Sequence, residues 1–192
     1  MKSFAFLYFH GHRIFVVLLM MLFIGLALSF SEGWLLRIPW LSGTAGVNVG
    51  TICSFAYAAL PVTLFRNQLS KLEARSPRKW LVVDSTLLVV LWSVPWVFSL
   101  TGVGSVRFAY VSTVLMGITF FAGKYLNVDT LALLLIAQLV LQTALWLSTS
   151  ETKWRFVLFA LAVPPGHVPL LISGLSLLVS ILSLHKFKRA GA

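Results

Sequence analysis

Few residues in this sequence have a type and spacing that could carry chemistry. Asp84 is the only carboxylate inside a long apolar block, where carboxylates are candidates for proton relays. His167 stands alone beside a proline-glycine break, and one histidine does not build a metal site. The pair Gly123-Lys124 lacks the earlier glycine and the following Ser or Thr of a phosphate-binding loop. The sequence therefore predicts no catalytic residue, no metal site and no bound cofactor in this chain.

Two glutamines add polar groups to another apolar block. Gln138 and Gln142 lie one helical turn apart, where they would hydrogen-bond across helices or line a polar pathway. Asp84 joins them as a candidate for such a pathway. Asp84 also follows closely on Arg78 and Lys79, so an ion pair with either is the competing interpretation. Helix packing is the competing interpretation for the glutamines.

The elements that hold these residues follow from composition. The chain has 192 residues, of which 59% are hydrophobic and 10% charged. A soluble domain has about 45–50% apolar and roughly 25% charged residues. The apolar residues form blocks close to the ~20 residues that span a bilayer core. The sequence predicts an all-α polytopic membrane protein with one transmembrane domain over 1–192 and six spans, at 14–30, 43–65, 80–100, 108–123, 131–148 and 169–184.

Positive charge is placed between these blocks. A net charge of +10 could attract nucleic acid, but the fifteen Lys and Arg residues lie almost entirely between apolar blocks, which is the membrane topology signal. With both termini inside, the outer loops hold four of the fifteen and the cytoplasmic segments the other eleven. The bias predicts a bacterial plasma (inner) membrane protein with both termini cytoplasmic, in contact with the lipid bilayer and not with nucleic acid. The four outer residues are Arg37, Arg107, Lys153 and Arg155.

The ends of the first and last spans each leave two interpretations open. Residues 1–13 mix aromatic and basic side chains, which is typical of an interfacial helix on the inner surface. The competing interpretation is a secretory signal peptide, with Ala27-Leu28-Ser29 as its cleavage site. Near the last span, the Pro164-Pro165 pair removes amide donors. Residues 156–163 are therefore either a short outer helix that precedes the sixth span or the start of one kinked helix.

Small residues indicate close helix contacts. Gly46 and Gly50 form a Gly-x-x-x-Gly pattern in the second span, and Ser54 extends it by one turn. Small residues at this spacing let helix backbones approach closely, so we expect a packing face here. A comparable stripe in the last span consists of Ser173, Ser176, Ser180 and Ser183.

The loop 66–79 is the most distinctive polar segment. Leu69 and Leu72 lie three residues apart in the pattern of a short amphipathic helix, with Glu73 and Arg75 among its charges. A basic anchor for anionic lipid is one interpretation. That role does not require the two leucines on one side, whereas a helix that docks on a cytoplasmic partner does.

This layout resembles the ABC-2 type permeases of exporters. The resemblance rests on the interfacial N-terminal helix, six spans with both ends inside, a charged inner helix after span two and a broken segment before the last span. The stretch 72–78 is also similar to the Glu/Arg-rich stretch often found in these permeases.

The resemblance implies a permease subunit that moves a hydrophobic or peptide-like substrate. ATP-Mg would bind to a separate nucleotide-binding ATPase, and a second permease copy or homologue would pair with this chain. Residues 1–13 would be the connecting helix and 66–79 the coupling helix, whose partner contacts would be Leu69, Leu72, Glu73 and Arg75.

Two other functions remain open from the sequence. The substrate-binding membrane subunits of vitamin importers also have about six spans in a chain of this size. They dock a partner through small-residue faces and do not need a cationic helix after span two. The second alternative is a non-transporting accessory, immunity or assembly protein of the membrane.

Overall fold

Six helices and one small sheet make up the described part of the chain. The computed structural model describes residues 14–31, 34–37, 46–65, 79–148 and 163–190. The strands are β1 (Leu35–Arg37) and β2 (Gly46–Asn48). The helices are α1 (Ile14–Ser31), α2 (Val49–Phe65), α3 (Lys79–Leu100), α4 (Val106–Ala122), α5 (Val128–Ser148) and α6 (Val168–Ala190).

Each predicted span coincides with one of these helices, so the mainly helical fold is confirmed for the described residues. The agreement is best in α1 and α3, which each differ from the prediction by one residue, and α4 begins two residues earlier than predicted. Ser105 explains that early start, because its hydroxyl accepts a hydrogen bond from the amide of Phe108 at 3.2 Å. A serine in this N-cap position satisfies one of the free amides of the first turn.

The predicted start of the second span is wrong. Instead of a helix from residue 43, the chain forms β2, which pairs antiparallel with β1 and sets Gly46 opposite Arg37. The helix begins only after Asn48, whose Oδ1 accepts a hydrogen bond from the amide of Gly50 at 2.7 Å. This N-cap fixes the boundary between strand and helix. Gly46 therefore lies outside α2, and Gly46 and Gly50 do not share a helix face.

The break before the last helix is real. Residues 163–167 are not helical, and Gly166 has a φ of 68°, in the left-handed region that favours glycine. The interpretation of one kinked helix through this point is wrong, since α6 begins afresh at Val168. Residues 156–162 lie outside the described part, as do the predicted interfacial helix 1–13 and the loop 66–79 except Lys79, the first residue of α3.

Helix α4 occupies the centre. It packs against α2, α3 and α6, while α1 packs on α2. Early residues of α2 meet early residues of α4, and Phe65 near the end of α2 meets the ring of Phe120 near the end of α4, at 5.8 Å between centroids. Thr113 and Gly117 of α4 meet Ser173 and Ser176 of α6 in the same order. The helices α2, α4 and α6 therefore point the same way.

Large side chains of α4 fill the core. Phe108, Leu115, Met116 and Phe120 are fully buried. The outer helices instead expose large apolar side chains along their length, among them Phe15, Leu22 and Phe23 of α1, Leu133, Ile136 and Val140 of α5, and Leu171, Leu175 and Leu178 of α6.

One helix of the described residues is long and apolar enough to cross a membrane by length and composition alone, over Val82–Leu100. The apolar stretches of the other five helices in that part are shorter. They are Ile14–Phe30, Val49–Phe65, Val106–Ala122, Val128–Ala144 and Val168–Leu184.

Candidate functional site

The predicted pathway residues lie on two helices, α3 and α5. Asp84 lies near the start of α3 and is buried, with 2% of its surface exposed. Gln142 is buried in the second half of α5, and Gln138 is half-buried one turn earlier. Helix α3 packs mainly on α4 and α6, whereas α5 packs mainly on α2. A shared pathway through Asp84, Gln138 and Gln142 stays a prediction.

The predicted coupling residues lie in the loop 66–78, outside the described residues. They are Leu69, Leu72, Glu73 and Arg75. What the structure does describe is the pair of helix ends that flank this loop, Phe65 at the end of α2 and Lys79 at the start of α3.

Ser54 of α2 meets α4, and Gly50 lies one turn before it. Both residues are buried. The Ser54 hydroxyl donates to the carbonyl of Gly50 at 2.9 Å and lies 3.5 Å from the carbonyl of Phe108 in α4. A hydroxyl that also bonds its own helix lets the two helices approach without an unpaired polar group. Gly46 takes no part, because it belongs to β2.

A cluster of hydrogen bonds joins α3, α4 and α6. We call Trp92, Thr113, Ser173 and Ser176 the hydroxyl junction. The hydroxyls of Thr113 and Ser173 are 2.7 Å apart, and the Ser176 hydroxyl donates to the backbone carbonyl of Thr113. The indole Nε1 of Trp92 donates to the carbonyl of Ser173 at 2.9 Å. Three helices are therefore hydrogen-bonded at one level of the bundle.

Gly117 allows this close approach. A Cβ at position 117 would lie 3.0 Å from the Cβ and 3.2 Å from the Cα of Ser176. The first distance is at the limit of real carbon contacts, so α6 rests almost directly on the backbone of α4. The pattern Thr113–Gly117 is itself a small residue followed four positions later by glycine, and this signal was present in the sequence.

The predicted serine stripe continues from the junction along α6. The Ser180 hydroxyl donates to the carbonyl of Ser176 at 2.8 Å. Ser183 is fully buried, and its hydroxyl has no hydrogen-bond partner in the described part of the chain. Between them these residues give α6 a buried face of hydroxyls.

The chemistry of the junction is that of a structural contact. Its hydroxyls bond to each other and to backbone carbonyls, and within the described ranges none is hydrogen-bonded to a histidine or carboxylate that would activate it as a nucleophile. Among the described residues there is no group of three or more His, Cys, Asp or Glu that could hold a metal ion. The serine stripe of α6 was predicted from the sequence, but its partners Thr113, Gly117 and Trp92 were not.

Comparison with known proteins adds no relative. No protein-family model, curated protein or solved structure matches this chain significantly.

Proposed function

We propose that this chain is a polytopic membrane protein in which all six helices cross the bilayer. The observation that supports this is the distribution of polar groups. Hydroxyls such as those of Ser112, Thr113 and Ser173 are fully buried, while outer helices expose leucine, valine and phenylalanine. The largest apolar patch on a typical soluble monomer is about 300–600 Å². Exposed apolar side chains over the length of four helices (α1, α3, α5 and α6) fit contact with lipid instead.

The lengths of the helices agree with this proposal. The shortest, α2 and α4, have 17 residues each, the lower limit for a span. Core residues Val17, Met21, Ile24 and Leu28 of α1 pack with the rest of the bundle, which favours a retained first helix over a cleaved signal peptide.

The orientation is supported by charge. Because α2, α4 and α6 are parallel, the start of α3 and the ends of α4 and α6 lie at one end of the bundle. In the described ranges this end carries five basic residues and the opposite end two, which favours the former as cytoplasmic. The five are Lys79, Lys124, Lys186, Lys188 and Arg189, and the two are Arg37 and Arg107.

As the activity we propose that of a permease subunit in an ATP-driven exporter of a hydrophobic or peptide-like substrate. The order of elements supports it: six helices, a basic loop between α2 and α3, and a break before α6. A separate nucleotide-binding ATPase would bind ATP-Mg, and a second permease copy or homologue would complete the transporter.

The observation that carries this proposal is the burial of residues in the two helices that flank the basic loop. Phe65, the last residue of α2, is fully buried against Phe120 of α4. On the other side of the loop, Leu88 of α3 is fully buried in the same core. A displacement of the loop by a partner would therefore act on the central helix α4, as a coupling element requires.

The test compares two substitutions in this loop. Leu72→Asp would bury an unpaired carboxylate in the groove of a docked ATPase, which costs several kcal/mol. We expect the tagged chain to lose the ATPase on purification while its insertion in the membrane stays normal. Lys71→Gln is the control and should retain the ATPase.

Two outcomes would contradict the exporter proposal: equal recovery of ATPase with both variants, or no ATPase with the unmodified chain. Either result would favour the accessory or immunity protein.

A further inference from the structure

Helix α3 contains a backbone carbonyl that lacks the usual donor of an α-helix, the amide four residues later. Pro95 lies inside α3, and proline has no amide hydrogen. In an α-helix the amide of residue 95 would donate to the carbonyl of Leu91, four residues earlier. The Leu91 carbonyl is therefore left without its helical donor. Leu91 itself is buried.

A tyrosine from the neighbouring helix supplies the missing donor. The hydroxyl of Tyr57 in α2 donates to the carbonyl of Leu91 at 2.7 Å. Tyr57 is fully buried, and its ring meets that of Phe108 edge to face, with centroids 6.0 Å apart. The ring contact holds the side chain in the direction of α3.

We propose that Pro95 makes a hinge in α3 and that Tyr57 is the latch that holds it. A proline weakens a helix at the turn before it, and a freed carbonyl in apolar surroundings must find another donor. The Tyr57 hydroxyl fills that role from outside the helix. The bond from Tyr57 to Leu91 therefore fixes the angle between the parts of α3 before and after the hinge. It also fixes the distance between α3 and α2.

The latch sets the position of the end of α3. Beyond the hinge, the ring of Phe98 stacks on that of Phe108 in α4, with centroids 6.4 Å apart. The same ring lies 3.3 Å from where a Cβ on Gly25 of α1 would be. Release of the latch would let the segment 95–100 pivot against α1 and α4, because no backbone hydrogen bond links residues 91 and 95.

This device does not depend on the exporter proposal, since it follows from Pro95 and from the contacts of Tyr57. It does link α2, whose end leads into the loop 66–78, to the far end of α3. A movement of α2 along its axis would stretch or break the bond to Leu91.

The first experiment measures whether the tyrosine hydroxyl and the missing amide substitute for each other. Tyr57→Phe is made in the natural chain and in a Pro95→Ala background, and the folding equilibrium is measured by reversible SDS unfolding in mixed micelles. We expect Tyr57→Phe to lower the folding constant about tenfold in the natural chain. In the Pro95→Ala background the restored amide serves Leu91, so the loss should be about twofold or less. Tyr110→Phe, which removes a hydroxyl from another buried tyrosine, is the control and should act equally in both backgrounds.

The second experiment measures the hinge directly and does not need the Pro95→Ala variant to fold. Spin labels replace Val82 and Leu100, both exposed, in a chain with Cys53→Ala. The labelled positions are about 27 Å apart along a helix. We expect one narrow distance distribution with Tyr57 and a clearly broader one with Tyr57→Phe, while Tyr110→Phe leaves it unchanged.

The two readouts decide the proposal separately. An equal loss of folding in both backgrounds would overturn the latch, since the hydroxyl would then contribute independently of Pro95. An unchanged distance distribution in Tyr57→Phe would overturn the hinge.

Discussion

The two faces of α6 reverse the usual arrangement of a surface helix. One face carries Ser173, Ser180 and Ser183, all buried, and the other carries Leu171, Leu175, Leu178 and Leu182, all exposed. In a water-soluble protein the leucines would face the core and the serines the solvent. The difference teaches that α6 uses its hydroxyls between helices, where small side chains permit close contact, and carries its large apolar side chains on the outer face.

The largest effect should come from a charge on the exposed face. Leu175→Asp places a carboxylate near the middle of α6, which costs about 3 kcal/mol in insertion if this face meets lipid. We expect loss of the full-length protein from the membrane fraction. The matched control is Leu35→Asp in β1, a leucine exposed to 61% where Leu175 is exposed to 62%. Since β1 lies beyond the helix ends, this variant should accumulate normally. Equal accumulation of both variants would contradict contact between α6 and lipid.

A smaller loss of stability is expected at the closest contact between α4 and α6, where Gly117 meets Ser176. Gly117→Ala pushes a methyl group against Ser176, and overpacking of this kind costs about 1–3 kcal/mol. Gly174→Ala is the same change in α6, where a Cβ would meet nothing within 4 Å. It should be neutral or stabilise by about 1 kcal/mol through helix propensity. The check is unfolding of purified protein in SDS. If Gly117→Ala is as stable as Gly174→Ala, the α4–α6 contact is looser than described.

The smallest expected effect on stability compares a hydroxyl that bonds across two helices with one that bonds within its own helix. Thr113→Val removes the hydroxyl that meets Ser173, and interhelical hydrogen bonds in membranes contribute about 0.6 kcal/mol on average. Thr86→Val removes an exposed hydroxyl that bonds only its own helix, to the carbonyl of Val82. We expect a loss of about 0.5–1.5 kcal/mol for the first and less than about 0.5 kcal/mol for the second. A reversed order would show that the junction contributes nothing to stability.

Long apolar blocks made the helices predictable, but the helix ends depend on the hydrogen bonds of single residues such as Asn48 and Ser105. The start of α2 was misplaced because the segment from residue 43 is apolar enough to pass as helix. Asn48 carried the correct signal, since asparagine is a favoured N-cap residue. The strands β1 and β2 are three residues each, too short for an alternating pattern to be detected.

For the contact between α4 and α6, the sequence predicted the residues of α6 but not those of α4. The serine stripe of α6 was visible as a period, but periodicity does not say which helix the stripe meets. Thr113 and Gly117 are obvious as partners only once α4 and α6 are known to be parallel and adjacent. The bond from Tyr57 to Leu91 joins positions 34 residues apart, and no local pattern predicts it.

The central position of α4 has a consequence for biosynthesis. Its main neighbour α6 is made after it, and at roughly 5–20 residues per second α6 follows α4 out of the ribosome by a few seconds. During that interval, the hydroxyls of a membrane-inserted α4 are without the cover of α6. Each of these hydroxyls already bonds a carbonyl of α4 itself, so the wait costs little. The pairs are Ser112 with Phe108 at 2.7 Å, Thr113 with Ala109 at 2.8 Å and Thr119 with Leu115 at 2.8 Å.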